Sequence, residues 1–348
     1  MNYSLQDYLR LVLPYVSDVL VSPRQLTCIE HLTKLLPPLS ATLLECRLGS
    51  DQPQVDLSVG WQRMKVPISE ALLSYPFWQQ LESFCQNWTT VNSLTYNTVE
   101  DIWLEFDLDG ETDGLMIPCW FFSLQSREFK DRKIEDLSKL GELIFWLHNL
   151  PMNERRKALI WQCINALPDN VGIGQIGAMR SRLGNPLRIN VSGLSAEMIP
   201  PYLAQIQDQS VKADLIKIIN IIEPLSDRLV LCFDIEEEIG SRIGLECYLD
   251  QQPRKEPRWC EFLHLLVGMK CCTHEKRDAL LQWSGLIQKK DHPDLWPVNL
   301  QNLDPWISPG SISVFWRTIN HLKLVYQPDQ PLEVKAYLAF GHRWFKPN

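Results

Sequence analysis

The residues of this chain best placed to do chemistry share one face of a set of predicted strands. At period two along successive segments stand Glu45 and Arg47; Asp56 and Ser58; Trp103, Glu105 and Asp107; Arg188 and Asn190; Asp234; Glu246 and Tyr248; His321 and Lys323; Lys335 and Tyr337. Cations, carboxylates and large aromatic rings alternate there with aliphatic side chains. A wall of this kind can pair a ligand's charges, move a proton through a carboxylate and offer π faces to a cation. No other local pattern competes. The sequence has no GxSxG, no HExxH and no spaced set of metal ligands. Ile173-Gly174-Gln175-Ile176-Gly177 has the glycines of a phosphate loop but lacks GxGxxG and a following Lys. It reads instead as an eased bend in a strand.

The strands that carry these residues come in pairs. LLECRL (43–48) and VDLSVGW (55–61) flank a turn-rich break and form a first hairpin. IWLEFDL (102–108) and MIPCWFFSL (116–124) form a second around DGETDG. A strand ending near Met179 pairs with LRINVSGL (187–194) around Leu183-Gly184-Asn185-Pro186. LVLCFDI (229–235) and IGLECYL (243–249) flank EEEIGSR, whose glutamates read as a solvated tip. HLKLVYQ (321–327) and LEVKAYLAF (332–340) flank PDQP. Between hairpins, residues 68–86, 133–148, 152–165, 196–208, 210–223, 257–268 and 275–288 carry apolar residues at helical spacing, as does the opening segment. Residues 289–310, rich in Pro, Asp and Trp, are expected to wrap the surface.

The other strand face is aliphatic, with Leu44 and Cys46, Leu104 and Phe106, Ile189 and Val191, Leu231 and Phe233, Leu245 and Cys247, Val334 and Leu338. It supplies the surface on which helices pack. The polar face then points either to water from an open sheet or into a closed barrel. Ten strands make a wide open sheet with exposed edges, and closure removes them. Aromatic residues among the charges also suit a lined cavity. The expected fold is therefore α+β: one domain over 1–348, in which five hairpins form a ten-stranded antiparallel barrel inside helices. A barrel of that girth is too wide for side chains to fill and can hold a ligand.

This order of elements resembles the ABBA-type aromatic prenyltransferases, built from five αββα repeats. Lys335-Ala336-Tyr337 is similar to the Lys-x-Tyr pairs of that family; Arg188-Ile189-Asn190 and Glu246-Cys247-Tyr248 occupy comparable places but depart from the form. The resemblance implies transfer of an allylic group from a diphosphate to an aromatic or nitrogenous acceptor, on a natural product or a peptide. Arg47, Arg188, Lys323 and Lys335 would hold the diphosphate. Trp103, Tyr248 and Tyr337, with Asp107 and Glu246, would line the cation shield and acceptor pocket. Glu105 would be the base. The many acids suggest either Mg²⁺ carried with the diphosphate or a cationic acceptor. No organic cofactor and no protein-held metal are implied. The rival readings are a non-catalytic barrel that binds a ligand or peptide in a biosynthetic pathway, and a hydrolase or cyclase using paired acids.

Composition narrows the partners. A formal net charge of −8 disfavours nucleic acid and anionic membrane. No uninterrupted apolar run is long enough to span a bilayer, and the N-terminus lacks the basic region of a signal peptide. A cytoplasmic setting is expected, with the ten cysteines reduced.

Overall fold

The computed structural model describes residues 3–39, 41–49, 54–63, 68–108, 117–125, 137–149, 153–207, 211–303 and 310–346. The expected DGETDG turn and residues 133–136 of one expected helix lie outside these.

Eleven strands form one antiparallel sheet: β1 (Ala41–Arg47), β2 (Val55–Gln62), β3 (Val99–Phe106), β4 (Cys119–Leu124), β5 (Gly172–Ala178), β6 (Leu187–Ser192), β7 (Arg228–Ile235), β8 (Ile239–Tyr248), β9 (Gly285–Gln288), β10 (Ile312–Tyr326) and β11 (Glu333–Phe345). Hydrogen bonding runs β11-β1-β2-β3-β4-β5-β6-β7-β8-β10, and β10 pairs back onto β11. The ring closes with ten strands, as the alternation predicts. Leu44 faces Leu338 across the β1/β11 seam, and Leu324 faces Leu245 and Val334 on either side of β10.

The aliphatic face lies outside, under the helices. Leu44, Cys46, Leu104, Phe106, Ile189, Val191, Leu231, Leu245 and Leu338 join one continuous core with helix residues such as Trp78, Phe84, Leu143, Leu203, Ile219, Phe262 and Leu280. Phe84, on helix Pro76–Trp88, stacks on Phe122 of β4 at 4.7 Å and meets Trp120 edge-on at 5.2 Å. Helices fill every interval between hairpins: Leu137–His148 and Glu154–Asn165 before β5, Ile199–Gln207 and Ala213–Ile222 before β7, Arg258–Gly268 and His274–Trp283 after β8. Their starts are written locally. The side chains of Asn153 and Thr273 accept backbone N–H bonds from Arg156 and Lys276, satisfying donors that a helix N-terminus leaves open. No helix is long and apolar enough to cross a membrane among the described residues.

Several expected boundaries shift. The helix expected over 275–288 ends at Trp283, and Gly285–Gln288 is a strand on the overhang of β10. Gly285 stops the helix, and Leu286-Ile287 favours extended backbone. The helix expected over 68–86 breaks at Ser74-Tyr75, before Pro76, which restricts the residue ahead of it. The expected 236–242 break is shorter, because Ile239 already pairs with Ile235. The fifth hairpin extends well past its expected limits, through Ile312↔Phe345. Within 289–310, Trp296 and Leu300 are buried, so this segment packs as well as wraps. A bulge interrupts β5 between Ile173 and Gln175, at Gly174, where the sequence suggests an eased bend.

Inside the barrel, ring and glycine alternate. Phe121 stands opposite Gly177, and a Cβ there would lie 2.2 Å from the Phe121 ring. Gly177→Val should therefore displace Phe121 and cost about 1–3 kcal/mol, as overpacked sites do. Gly141, inside helix Leu137–His148, has nothing within 4 Å of its would-be Cβ. Gly141→Ala should gain about 0.5–1 kcal/mol. Urea denaturation of both variants checks the pair; a Gly177→Val protein as stable as wild type would contradict this description of the lumen.

Candidate functional site

Strand register alone assembles the charged end of the lumen. Lys323 of β10 stands opposite Lys335 of β11, and Lys335 stands opposite Arg47 of β1. Three cations thus lie side by side on three adjacent strands. Like charges directly opposite one another repel, so each must find an acid. Lys323 donates to Glu246 at 3.0 Å, its cross-strand partner on β8. Lys335 donates to Glu45 at 2.5 Å and lies 3.5 Å from Glu333. Arg47 binds Asp56 at 2.9 Å and approaches Glu333 at 3.5 Å. Arg188 on β6 grips Asp234 on β7 with two bonds of 2.7 and 2.9 Å.

These pairs sit in a protein-lined interior. Glu45 is 1% exposed, Lys335 5% and Lys323 7%, so the polar face is turned inward, away from bulk water. Burial alone would raise the Glu45 and Glu246 carboxyls, but the neighbouring lysines reverse the effect. Lys335 holds Glu45 well below the usual carboxylate range, and Lys323 brings Glu246 down to about 2. Among the described residues Glu105 has no Lys or Arg within salt-bridge distance, and the more distant Arg182 and Arg188 only partly offset its burial. Burial, and repulsion from Glu45 and Asp107, push it up to about 7. Asp56 rises to about 6, through burial and the nearby Glu45.

The lumen has two ends. The narrow end holds only about 20 Å³ of free space among Glu45, Glu105, Arg182, Arg188, Arg242, Gly244, Lys323, Lys335 and Tyr337. That is room for about one or two waters; the ion pairs occupy the rest. The wide end is a cavity of about 300 Å³, lined by Trp103, Phe121, Tyr248, His321 and Tyr337 together with Asp101, Gln175, Asn190 and Glu246. Glu105, Arg188, Lys323 and Tyr337 border both.

The structure brings Glu105, Arg188, Lys323, Lys335, Trp103, Tyr248, Tyr337 and Glu246 to this lumen. Two candidates lie off its lining. Arg47 is one cross-strand step beyond Lys335, tied to Asp56 and Glu333. Asp107 falls just past the end of β3, where Ser181 donates a short hydrogen bond to it. Conversely, Arg182 and Arg242 line the narrow end and escape the sequence reading. Arg242 continues the Gly244-Glu246-Tyr248 alternation backwards and becomes legible once β8 is extended to Ile239. Arg182 sits in the turn between β5 and β6, where periodicity says nothing.

No family model and no curated protein matches the sequence. Solved structures do. The crystal structure of 5-dimethylallyltryptophan synthase from Streptomyces coelicolor superposes with a TM-score of 0.51 at 13% identity, covering 97% of this chain and 98% of that one. The chain has the αββα-barrel fold. The same enzyme in complex with DMASPP and Trp gives 0.48 at 16% identity, over 97% and 95% of the two chains. PriB in binary complex with product diphosphate gives 0.47 at 13%, over 96% and 93%. This αββα barrel is the architecture of the aromatic prenyltransferases, and at these identities the likeness is one of fold.

The ion pairs set the acid stability of the barrel. Glu246 has a lower pKa folded than unfolded, so its contribution is complete above about pH 5 and disappears as pH falls toward about 2. Glu246→Gln, which strands Lys323, should cost about 3–5 kcal/mol at pH 7; the double change Glu246→Leu with Lys323→Met should recover most of it. Glu105 has the opposite sign: its raised pKa costs stability as pH climbs from about 4.5 to 7. Glu105→Gln should gain about 1–3 kcal/mol at pH 8 and nothing at pH 4. Denaturant curves across pH test both; an Glu105→Gln gain independent of pH would refute the assignment.

Proposed function

We propose that the chain is a prenyltransferase that carries an allylic group from a diphosphate to an aromatic or nitrogenous acceptor in the lumen. The observation supporting this most is the convergence of Arg182, Arg188, Arg242, Lys323 and Lys335 on one narrow pocket that opens into a wider aromatic chamber. Transfer needs cations where charge builds on the leaving oxygen. The five side chains hold the diphosphate there. The allyl cation then forms against the faces of Tyr337, Tyr248 and Trp103, which shield it from water. Glu105 borders both compartments and titrates near neutrality, which suits a base that takes the proton from the acceptor.

Because the narrow end is nearly filled by its own salt bridges, the diphosphate must part them and take over their donors. Among the described residues no group of three or more His, Cys, Asp or Glu is placed to hold a metal ion. The acids nearest the cations are engaged with them. On this reading any divalent ion that matters enters with the diphosphate, whose oxygens and waters supply most of its ligands.

A second reading draws support from those same pairs. Arg47, Arg188, Lys323 and Lys335 each already have a carboxylate within 3.0 Å. A barrel that only binds a ligand or peptide would need no free cations.

Titration calorimetry with dimethylallyl and geranyl thiodiphosphates, with and without Mg²⁺, separates the two. The transferase reading expects binding, weakened about tenfold by Arg182→Ala or Arg242→Ala, each removing a charge-assisted contact. Both positions are partly solvent-facing, so the fold should survive. Glu105→Gln should leave thiodiphosphate binding intact and lower turnover with the natural donor about 10²- to 10⁴-fold. No heat with either analogue under either condition would leave the binding reading standing.

A further inference from the structure

One carboxylate at the narrow end is held differently from the others. The side chains of Glu45 and Asp56 are only 1% exposed, and Asp56 also accepts the Leu108 backbone N–H at 2.9 Å. Glu246 receives Lys323 at 3.0 Å on one oxygen and Tyr248 at 2.9 Å on the other. Asp234 is gripped by two nitrogens of Arg188. Glu333 is the first residue of β11, directly after the turn from β10, and its parity with Lys335 and Tyr337 turns it inward. Its side chain is 35% exposed, the most of these five acids.

Three cations share this carboxylate. Arg242 donates to one oxygen at 3.0 Å, while Arg47 and Lys335 both approach the other at 3.5 Å. The two longer contacts exceed the roughly 2.7–2.9 Å of a strong charge-assisted bond. Neither of those cations depends on Glu333, because Arg47 has Asp56 at 2.9 Å and Lys335 has Glu45 at 2.5 Å. Arg242 has Glu333 as its one salt-bridge partner among the described residues. Burial would raise the Glu333 carboxyl, but Lys335, Arg242 and Arg47 bring it below the usual range, so it stays charged at neutral pH. One oxygen on Arg242 and the other between Arg47 and Lys335 is also how a phosphoryl group would divide its oxygens among these donors. Arg242 and Lys335 both line the narrow pocket.

We propose that Glu333 is the displaceable counter-ion of the narrow end: a tethered carboxylate that holds Arg242, Arg47 and Lys335, yields them to an incoming phosphoryl group and takes them back when that group leaves. This rests on the reading of the narrow end as the diphosphate site and adds which of its acids gives way. Glu333 can swing into water, where its charge is rehydrated. The same movement by Glu45 or Asp56 would leave a carboxylate unpaired in the interior. Arg47, off the cavity lining, becomes a diphosphate contact through the place that Glu333 vacates. Affinity for the anion is lowered by the fraction of molecules in which Glu333 is still in place.

The test titrates inorganic diphosphate into the full chain by calorimetry. A competitor and a structural strut predict opposite signs. Glu333→Gln keeps the shape and removes the charge; it should bind inorganic diphosphate about tenfold more tightly than wild type, the usual effect of one charge-assisted bond. Glu333→Ala should do the same. Both variants should fold, because Arg47 and Lys335 keep their shorter partners, and urea denaturation checks this. In an Arg242→Ala background the gain from Glu333→Gln should fall below about threefold, since the shortest of the three contacts is already gone. Wild-type binding that both Glu333 variants leave equal or weaken would overturn the role of Glu333 and leave the diphosphate site standing. A tenfold gain that persists without Arg242 would also overturn it. Binding by the Glu333 variants alone would support it. Binding by none of the proteins at millimolar diphosphate would sink the diphosphate site itself, and the proposal with it.

Discussion

Three cations abreast on β10, β11 and β1 constrain everything around them. Lys323, Lys335 and Arg47 are neighbours because the strand register makes them so, and that register also closes the barrel. Their mutual repulsion is tolerated only because Glu246, Glu45, Glu333 and Asp56 interleave with them. Replacing such an arrangement by apolar side chains is often neutral or stabilising, whereas removing one member is expensive. A buried ionic row is therefore a poor device for stability alone. In the proposed function it holds cations in a buried space where a diphosphate would displace their partners.

The two ends of the lumen follow from what each strand contributes inward. Toward one end the inward positions are charged: Arg242, Lys323, Lys335, Glu45. Toward the other they are rings and amides: Trp103, Phe121, Asn190, Tyr248. Gly60, Gly177 and Gly244 make room for Trp103, Phe121 and the Lys323 stem, whose atoms would otherwise meet a Cβ at 3 Å or less. Among the described residues Glu105 has no cationic partner within salt-bridge distance, and it borders both ends. Its raised pKa and its position have the same origin.

Much of this was legible in the chain. Period-two alternation separates the faces cleanly because the outward positions are almost all aliphatic, and five turn-bounded pairs imply closure once the edges are considered. The inward placement of Glu105, Lys323 and Lys335 follows from parity alone. What the alternation does not carry is depth along the strand. Asp107 has the right parity yet lies past the last residue of β3, and Arg47 sits one step beyond the cavity lining. Arg182 belongs to a turn, where no period exists. Phe121 was hidden for a different reason: Trp120, Phe121 and Phe122 put rings on both faces, so no contrast marks the inner one. Gly285–Gln288 reads as the tail of a helix because four residues are too few to show a period; only the overhang of β10 makes a strand of them.

The seam joins β1, near the start of the chain, to β11, near its end. During synthesis β1 and β2 can form their hairpin early, but the other edge of β1 waits until β11 has left the ribosome. Until then the inward charges have no interior to face, and Glu45 has no Lys335. The pairs across the seam, Lys335 with Glu45 and Arg47 with Glu333, thus assemble last, together with ring closure. Arg47 with Asp56 belongs to the first hairpin, and Lys323 with Glu246 to the β8/β10 pair. Contacts of such wide sequence separation fold slowly and leave an open edge exposed in the meantime. Nascent or truncated forms that stop before β11 should accordingly depend on chaperones to stay out of aggregates, whatever the stability of the finished ring.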